Sequence, residues 1–260
     1  MNRIDVKFAD LKSKGKKALI TFITAGDPDL TTTESLVLEM EKAGADIIEL
    51  GVPFSDPVAE GPIIQAASAR SLKNNTNLND IFNLVVSLRE KTNVPILLMM
   101  YLNCIYNYGK DNFFAMCAKS GIDGVIVPDM PFEERSELSS EAHKYGIYSI
   151  SLVAPTSNDR IKAIAEQSEG FLYCVSSIGV TGTRSSFNTN FDEFFSQIDL
   201  HVKIPTAIGF GISTPEQVAA LKKYADGIIV GSAIVKIVGQ YGKKSVEPVC
   251  DFVRSLKAEL

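Results

Sequence analysis

Histidine and cysteine are scarce in this sequence of 260 residues: there are two histidines, and four cysteines (Cys104, Cys117, Cys174, Cys250) that lie far apart with no C-x-x-C pair. Neither a zinc site nor a disulfide framework is suggested, no metal is expected, and the thiols suit a reducing cytoplasm. A block of Lys and Arg is also missing, and the net charge is −5. A nucleic-acid surface and a dock for anionic membrane lipid are therefore disfavoured, which leaves a small ligand as the better expectation. The longest apolar run, VPILLMMYL from Val94, is about half of what a membrane-spanning helix requires. Lys14 to Lys17 precede ALITFITAG in the order of a signal peptide, but Asp5 and Asp10 fall in the would-be basic segment and the run is bounded like a strand. No targeting segment is expected. Linkers, low-complexity tracts and shifts of composition are absent too, so one domain over residues 1–260 is the expectation.

What is present is periodic. Hydrophobic residues make up 45% and charged residues 22%, the balance of an ordinary folded protein rather than a disordered one. Eight short runs rich in Ile and Val read as strands: ALITFITAG (from Ala18), ADIIELGVPF (Ala45), VPILLMMYL (Val94), DGVIVPDMP (Asp123), IYSISLVAP (Ile147), GFLYCVSS (Gly170), IPTAIGFG (Ile204) and ADGIIVGSA (Ala225). Amphipathic stretches lie between them, with starts at Thr31 to Thr33, at Glu133 and Glu134, and at Asn158, each closed by glycine. Apolar strands alternating with helices imply a parallel sheet covered by helices, and eight such units in this length match an α/β fold of the (β/α)₈ TIM-barrel type. An open doubly wound sheet is the alternative, but its G-x-G-x-x-G turn is missing after the first strand, where the chain reads TAGDPD. The second unit has an extra loop helix, GPIIQAASARSL, and the sixth a long loop, IGVTGTRSSFNTN.

In such a barrel the active residues belong at the C-terminal ends of the strands. Glu49 falls there, between Ile48 and Leu50. A strand carboxylate often pairs with a neighbouring Lys or Arg, but no base is near in sequence, so desolvation is expected to raise its pKa into a range where it both gives and takes a proton. Glu60 follows in the next loop, and two carboxyls in different environments can divide acid and base duties. Asp56 reads as a turn residue before Pro57. The glycines of IGFG (Ile208–Gly211) and GSA (Gly231–Ala233), at the ends of strands seven and eight, suit an anion site where barrels often bind phosphate. His143 and His201 are on the wrong elements for catalysis; Tyr101 and Tyr173 lie near the mouth but are more often core aromatics.

From FITAGDP through ELGVPFSDPVAEGPIIQ, VPDMPFEE, LVAPT and SSIGVTGTR to GFGISTPEQV and DGIIVGSA, the chain resembles the tryptophan synthase alpha subunit family over nearly its full length. The resemblance implies retro-aldol cleavage of indole-3-glycerol phosphate to indole and glyceraldehyde 3-phosphate, with no cofactor in this chain. It makes Glu49 the acid/base and Glu60 the group that holds the indole N–H, although the family usually has aspartate there. Tyr173 then lies beside the glyceryl part, and Phe22, Met99 and Tyr101 line the indole pocket. Gly182, Gly211, Gly231 and Ser232 match the phosphate cradle, and Thr181 the loop that closes over substrate. It further implies an α₂β₂ complex with a β subunit carrying pyridoxal phosphate, met by loops bearing Pro53, Asp56, Asn103 and Pro131. Cys104 stands where proline is expected. A free-standing lyase and a non-catalytic, phosphate-binding activator are the competing readings.

Overall fold

The computed structural model describes residues 1–157, 160–175, 190–209 and 211–260. Its strands are β1 (Ala18–Thr24), β2 (Ile47–Gly51), β3 (Ile96–Met99), β4 (Gly124–Ile126), β5 (Tyr148–Ser149), β6 (Leu152–Val153), β7 (Leu172–Val175), β8 (Thr206–Gly209) and β9 (Gly227–Val230). They form one parallel sheet in the order β5-β4-β3-β2-β1-β9-β8-β7-β6. Nine segments appear where eight were expected because the fifth run is broken at Ile150 and Ser151. The break also joins the two ends of the sheet: Ile150 N–H bonds to Val125 O at 2.9 Å, and Ser151 O accepts Tyr173 N–H at 3.0 Å. One stretch of chain therefore has neighbours on both sides, and the sheet closes as an eight-stranded (β/α)₈ barrel.

Alternation along the strands sorts side chains into two layers. Ile20, Ile47, Leu97, Ile126, Ile150, Phe171, Ala207 and Ile229 fill the barrel. Leu19, Ile23, Ile48, Leu50 and Leu98 face outward against Leu36, Met40, Phe82, Val85, Val249 and Val253 of the helices. The bottom of the barrel is plugged by a helix the sequence reading passed over, Arg3–Ser13, whose Ile4, Phe8 and Leu11 are buried. Phe8 meets Phe171 at 5.7 Å between ring centroids. Lys14 to Lys17 thus follow a plug helix.

Helix starts differ in detail from the expectation. Asp29, not the threonines, caps Leu30–Ala43 by accepting Thr32 N–H, and Gly44 ends it at φ 115°, a left-handed conformation that favours glycine. Thr32 and Thr33 lie buried inside the helix. Glu133 and Glu134 form a separate single turn before Ser136–Lys144. Asn158 lies outside the described residues. Among those residues no helix is long and apolar enough to cross a membrane.

Candidate active site

Glu49 stands opposite Phe22 of β1 and Leu97 of β3 in the sheet register, on the same face as Ile47 and therefore inside the barrel. It is fully buried, and neither carboxylate oxygen has a hydrogen-bond partner among the described residues. Burial alone pushes its pKa up to about 8, because an apolar surrounding penalises the charged form. Among the described residues the acid is thus not locked to a cation, and it is not turned to solvent. It lines a pocket of ≈ 420 Å³, open mouth included, with Phe22, Met99, Tyr173, Gly211, Gly231 and Ser232 from the expected set.

The aromatic residues hold their places because neighbouring strands carry glycine. A Cβ on Gly51 would come within 2.5 Å of the Phe22 ring, and one on Gly209 within 2.6 Å of the Tyr173 hydroxyl. Tyr173 is buried, and desolvation together with the charge of Glu49 holds its phenol well above the ordinary value of 10. Gly209→Ala is expected to displace that ring, lowering turnover and costing about 1–3 kcal/mol through overpacking. Parallel measurement of indole release and of the melting curve checks both effects.

Glu60 is placed differently. It is 9% exposed, its Oε2 has no hydrogen-bond partner among the described residues, and burial pushes its pKa up to about 7. It leads through Gly61 into the helix Pro62–Lys73, which brings Ile64 to the pocket wall. Tyr101 is not in that wall. Two residues beyond Met99 the chain has left the sheet, and Tyr101 caps the helix Leu102–Tyr108. Its hydroxyl turns to the β2 loop and accepts Ala59 N–H at 3.0 Å, and its ring lies 5.1 Å from that of Phe54.

Part of the pocket wall is built from backbone, at Gly211 and Gly231. Gly211 has φ 83°. Gly231 precedes the helix Ser232–Tyr241, whose return bonds begin where Val235 N–H donates to Gly231 O at 3.0 Å. The amides before Val235 thus lack a helical acceptor and suit an anion. Thr181 and Gly182 lie outside the described residues. Of the surface set, Asp56, Asn103 and Pro131 are exposed whereas Pro53 is buried, so its side chain offers no contact surface in this conformation. Ile64, Ile212 and Ile229 also line the pocket and were not among the expected residues. Strand alternation carried a signal for Ile229, two residues before Gly231. No groups of three or more His, Cys, Asp or Glu that could hold a metal occur among the described residues.

A family profile described as "Tryptophan synthase alpha chain" matches residues 8–259. The chain is 52% identical over 262 residues to the tryptophan synthase alpha chain of Thermoanaerobacter sp. (strain X514), and 46% identical to that of Clostridium kluyveri (strain ATCC 8527), with all of each chain covered. Among solved structures it is similar to tryptophan synthase subunit alpha from Legionella pneumophila str. Paris, with TM-score 0.89 and 38% identity over 100% of this chain and 98% of that one. It is also similar to a chain of the tryptophan synthase a2b2 complex of Pyrococcus furiosus, with TM-score 0.86 and 38% identity over 93% and 98%.

Proposed function

This chain belongs to the tryptophan synthase alpha chain family, and we propose that it cleaves indole-3-glycerol phosphate to indole and glyceraldehyde 3-phosphate with Glu49 as the proton carrier. The carrying observation is a fully buried carboxyl with no hydrogen-bond partner among the described residues and a pKa near 8, in a pocket whose wall includes a helix start suited to a phosphate. At neutral pH Glu49 is mostly protonated. It gives its proton to indole C3 while Glu60 holds the indole N–H and offsets positive charge on the ring. The carboxylate left behind takes the proton of the glyceryl hydroxyl next to the breaking bond. That oxygen's electrons form the aldehyde, the carbon–carbon bond breaks, and its electron pair restores the indole ring. Net transfer is one proton from hydroxyl to C3, so Glu49 ends as it began. Tyr173 lies beside the glyceryl part, Phe22 and Met99 beside the indole ring. Gly211, Gly231 and Ser232, joined by Gly182, take the phosphate, and Thr181 belongs to the loop that closes over substrate.

The reaction needs no cofactor of this chain. Pyridoxal phosphate belongs to a β subunit, which we place against the loops bearing Asp56, Asn103 and Pro131 in an α₂β₂ assembly like that named for the Pyrococcus furiosus relative. The match over residues 8–259 supports a single barrel domain. All four cysteines are free, in keeping with a cytoplasmic location. The test is direct: incubate the chain with indole-3-glycerol phosphate, with and without added β subunit, and follow indole. Release that the β subunit strengthens is the expected result; no cleavage under either condition rejects the assignment in favour of a non-catalytic role.

A further inference from the structure

We propose that Tyr101 is a positioning residue for Glu60: by accepting the Ala59 N–H, its phenol oxygen sets where the Glu60 carboxyl stands relative to the pocket. The inference rests on the reading of Glu60 as the acid that holds the indole N–H. Residues 53–59 run from β2 toward Glu60, and among the described residues the 3.0 Å bond from Ala59 N–H to Tyr101 is the only hydrogen bond tying them to the rest of the protein. The anchor itself is firm. Tyr101 is 2% exposed, and the next residue is pinned where Leu102 N–H donates to Asp129 Oδ1 at 3.0 Å. Two residues earlier, Met99 lines the pocket, so the bond refers the loop to the pocket wall across 42 positions of sequence.

A fixed reference matters because Glu60 Oε2 has no partner among the described residues. Gln65 Nε2 holds the backbone on its C-terminal side by donating to Glu60 O at 2.7 Å, and the bond to Ala59 N–H holds it on its N-terminal side. Without the latter, a long flexible side chain samples more positions. Burial pushes the phenol of Tyr101 up to about 12, so the group stays neutral and the bond persists across the working pH range.

Tyr101→Phe keeps the ring and its packing and removes only the hydroxyl, and with it the acceptor for Ala59 N–H. Turnover of indole-3-glycerol phosphate is expected to fall about 10-fold, the worth of one hydrogen bond, with KM changed less than about 2-fold and the melting temperature within about 2 °C. The same substitution made in a Glu60→Gln background should cause no further loss, since the effect passes through Glu60. Unchanged turnover in Tyr101→Phe, or an equal loss in the Glu60→Gln background, overturns the proposal, the latter by showing that the phenol acts on substrate directly. If Glu60→Gln alone keeps full turnover, the role of Glu60 itself fails, and this is read separately from the Tyr101 result.

Discussion

Glu49→Gln is expected to reduce indole release by roughly 100- to 10,000-fold, the range attributed to a positioned acid/base, while the affinity for indole-3-glycerol phosphate changes only a few-fold. The amide matches the acid in shape and keeps the pocket walls formed by Phe22, Met99 and Tyr173, but it cannot pass a proton from the hydroxyl to C3. Steady-state kinetics and equilibrium binding, measured on the same variant, separate the two quantities. The substitution should also stabilise the fold in a pH-dependent way. The folded-state pKa of Glu49 is raised, from 4.5 to about 8, so the neutral folded acid loses stability relative to the unfolded chain as pH rises from about 4.5 to about 8. Glutamine has no such dependence. The stability of the variant relative to the parent, read from melting curves, should therefore climb between pH 4 and pH 8, by an amount on the order of a few kcal/mol at the upper end. A constant difference across that window would show that Glu49 is charged in the folded protein and would remove the basis of its proposed role.

Asp123→Ala should do the reverse, removing stability and sparing chemistry. Asp123 sits at the start of β4, on the barrel's bottom face, and is 3% exposed. It pairs with Arg3 Nη1 and Arg89 Nη2, each at 2.9 Å, and accepts Ile96 N–H at 2.9 Å. Burial already pulls the Arg89 pKa down to about 10, against the opposing charge of Asp123. Removing the carboxylate strands that guanidinium next to Arg3, which costs roughly 3–5 kcal/mol and lowers the melting temperature by about 10 °C. The double variant Asp123→Ala, Arg89→Leu should recover part of the loss, because it leaves no unpaired buried charge. Turnover per folded molecule should stay at the parent level, since none of these groups reaches the pocket. Thermal melts and active-site-normalised rates together check the prediction.

The different fates of Glu49 and Asp123 explain how much could be read from the residues alone. Strand periodicity, eight repeats of it, and helix-length spacers specify a parallel barrel, because the period of a buried strand is a local property of the chain. The placing of Glu49 at a strand's C-terminal end follows from the same pattern, and so does the pair of glycine loops. Its neighbours Ile47, Ile48 and Leu50 also announce desolvation, which is a matter of immediate surroundings. Asp123 gave no such notice: its partners lie 120 and 34 residues away.

Tyr101 illustrates the same boundary at the site. Its proximity to the pocket follows from its place after β3, but the direction of its ring depends on where a helix starts and on a loop 42 residues upstream. Likewise the split of the fifth strand, the plug helix Arg3–Ser13 and the burial of Pro53 arise from closing the sheet and filling its bottom end. Periodicity, caps and apolar runs are set by residues within a few turns of one another, so the sequence by itself determined the barrel, the dry acid and the glycine cradle. Which distant groups bond to one another, and which face of each loop meets solvent, only the tertiary structure decided, since those contacts join segments whose separation along the chain carries no local signal.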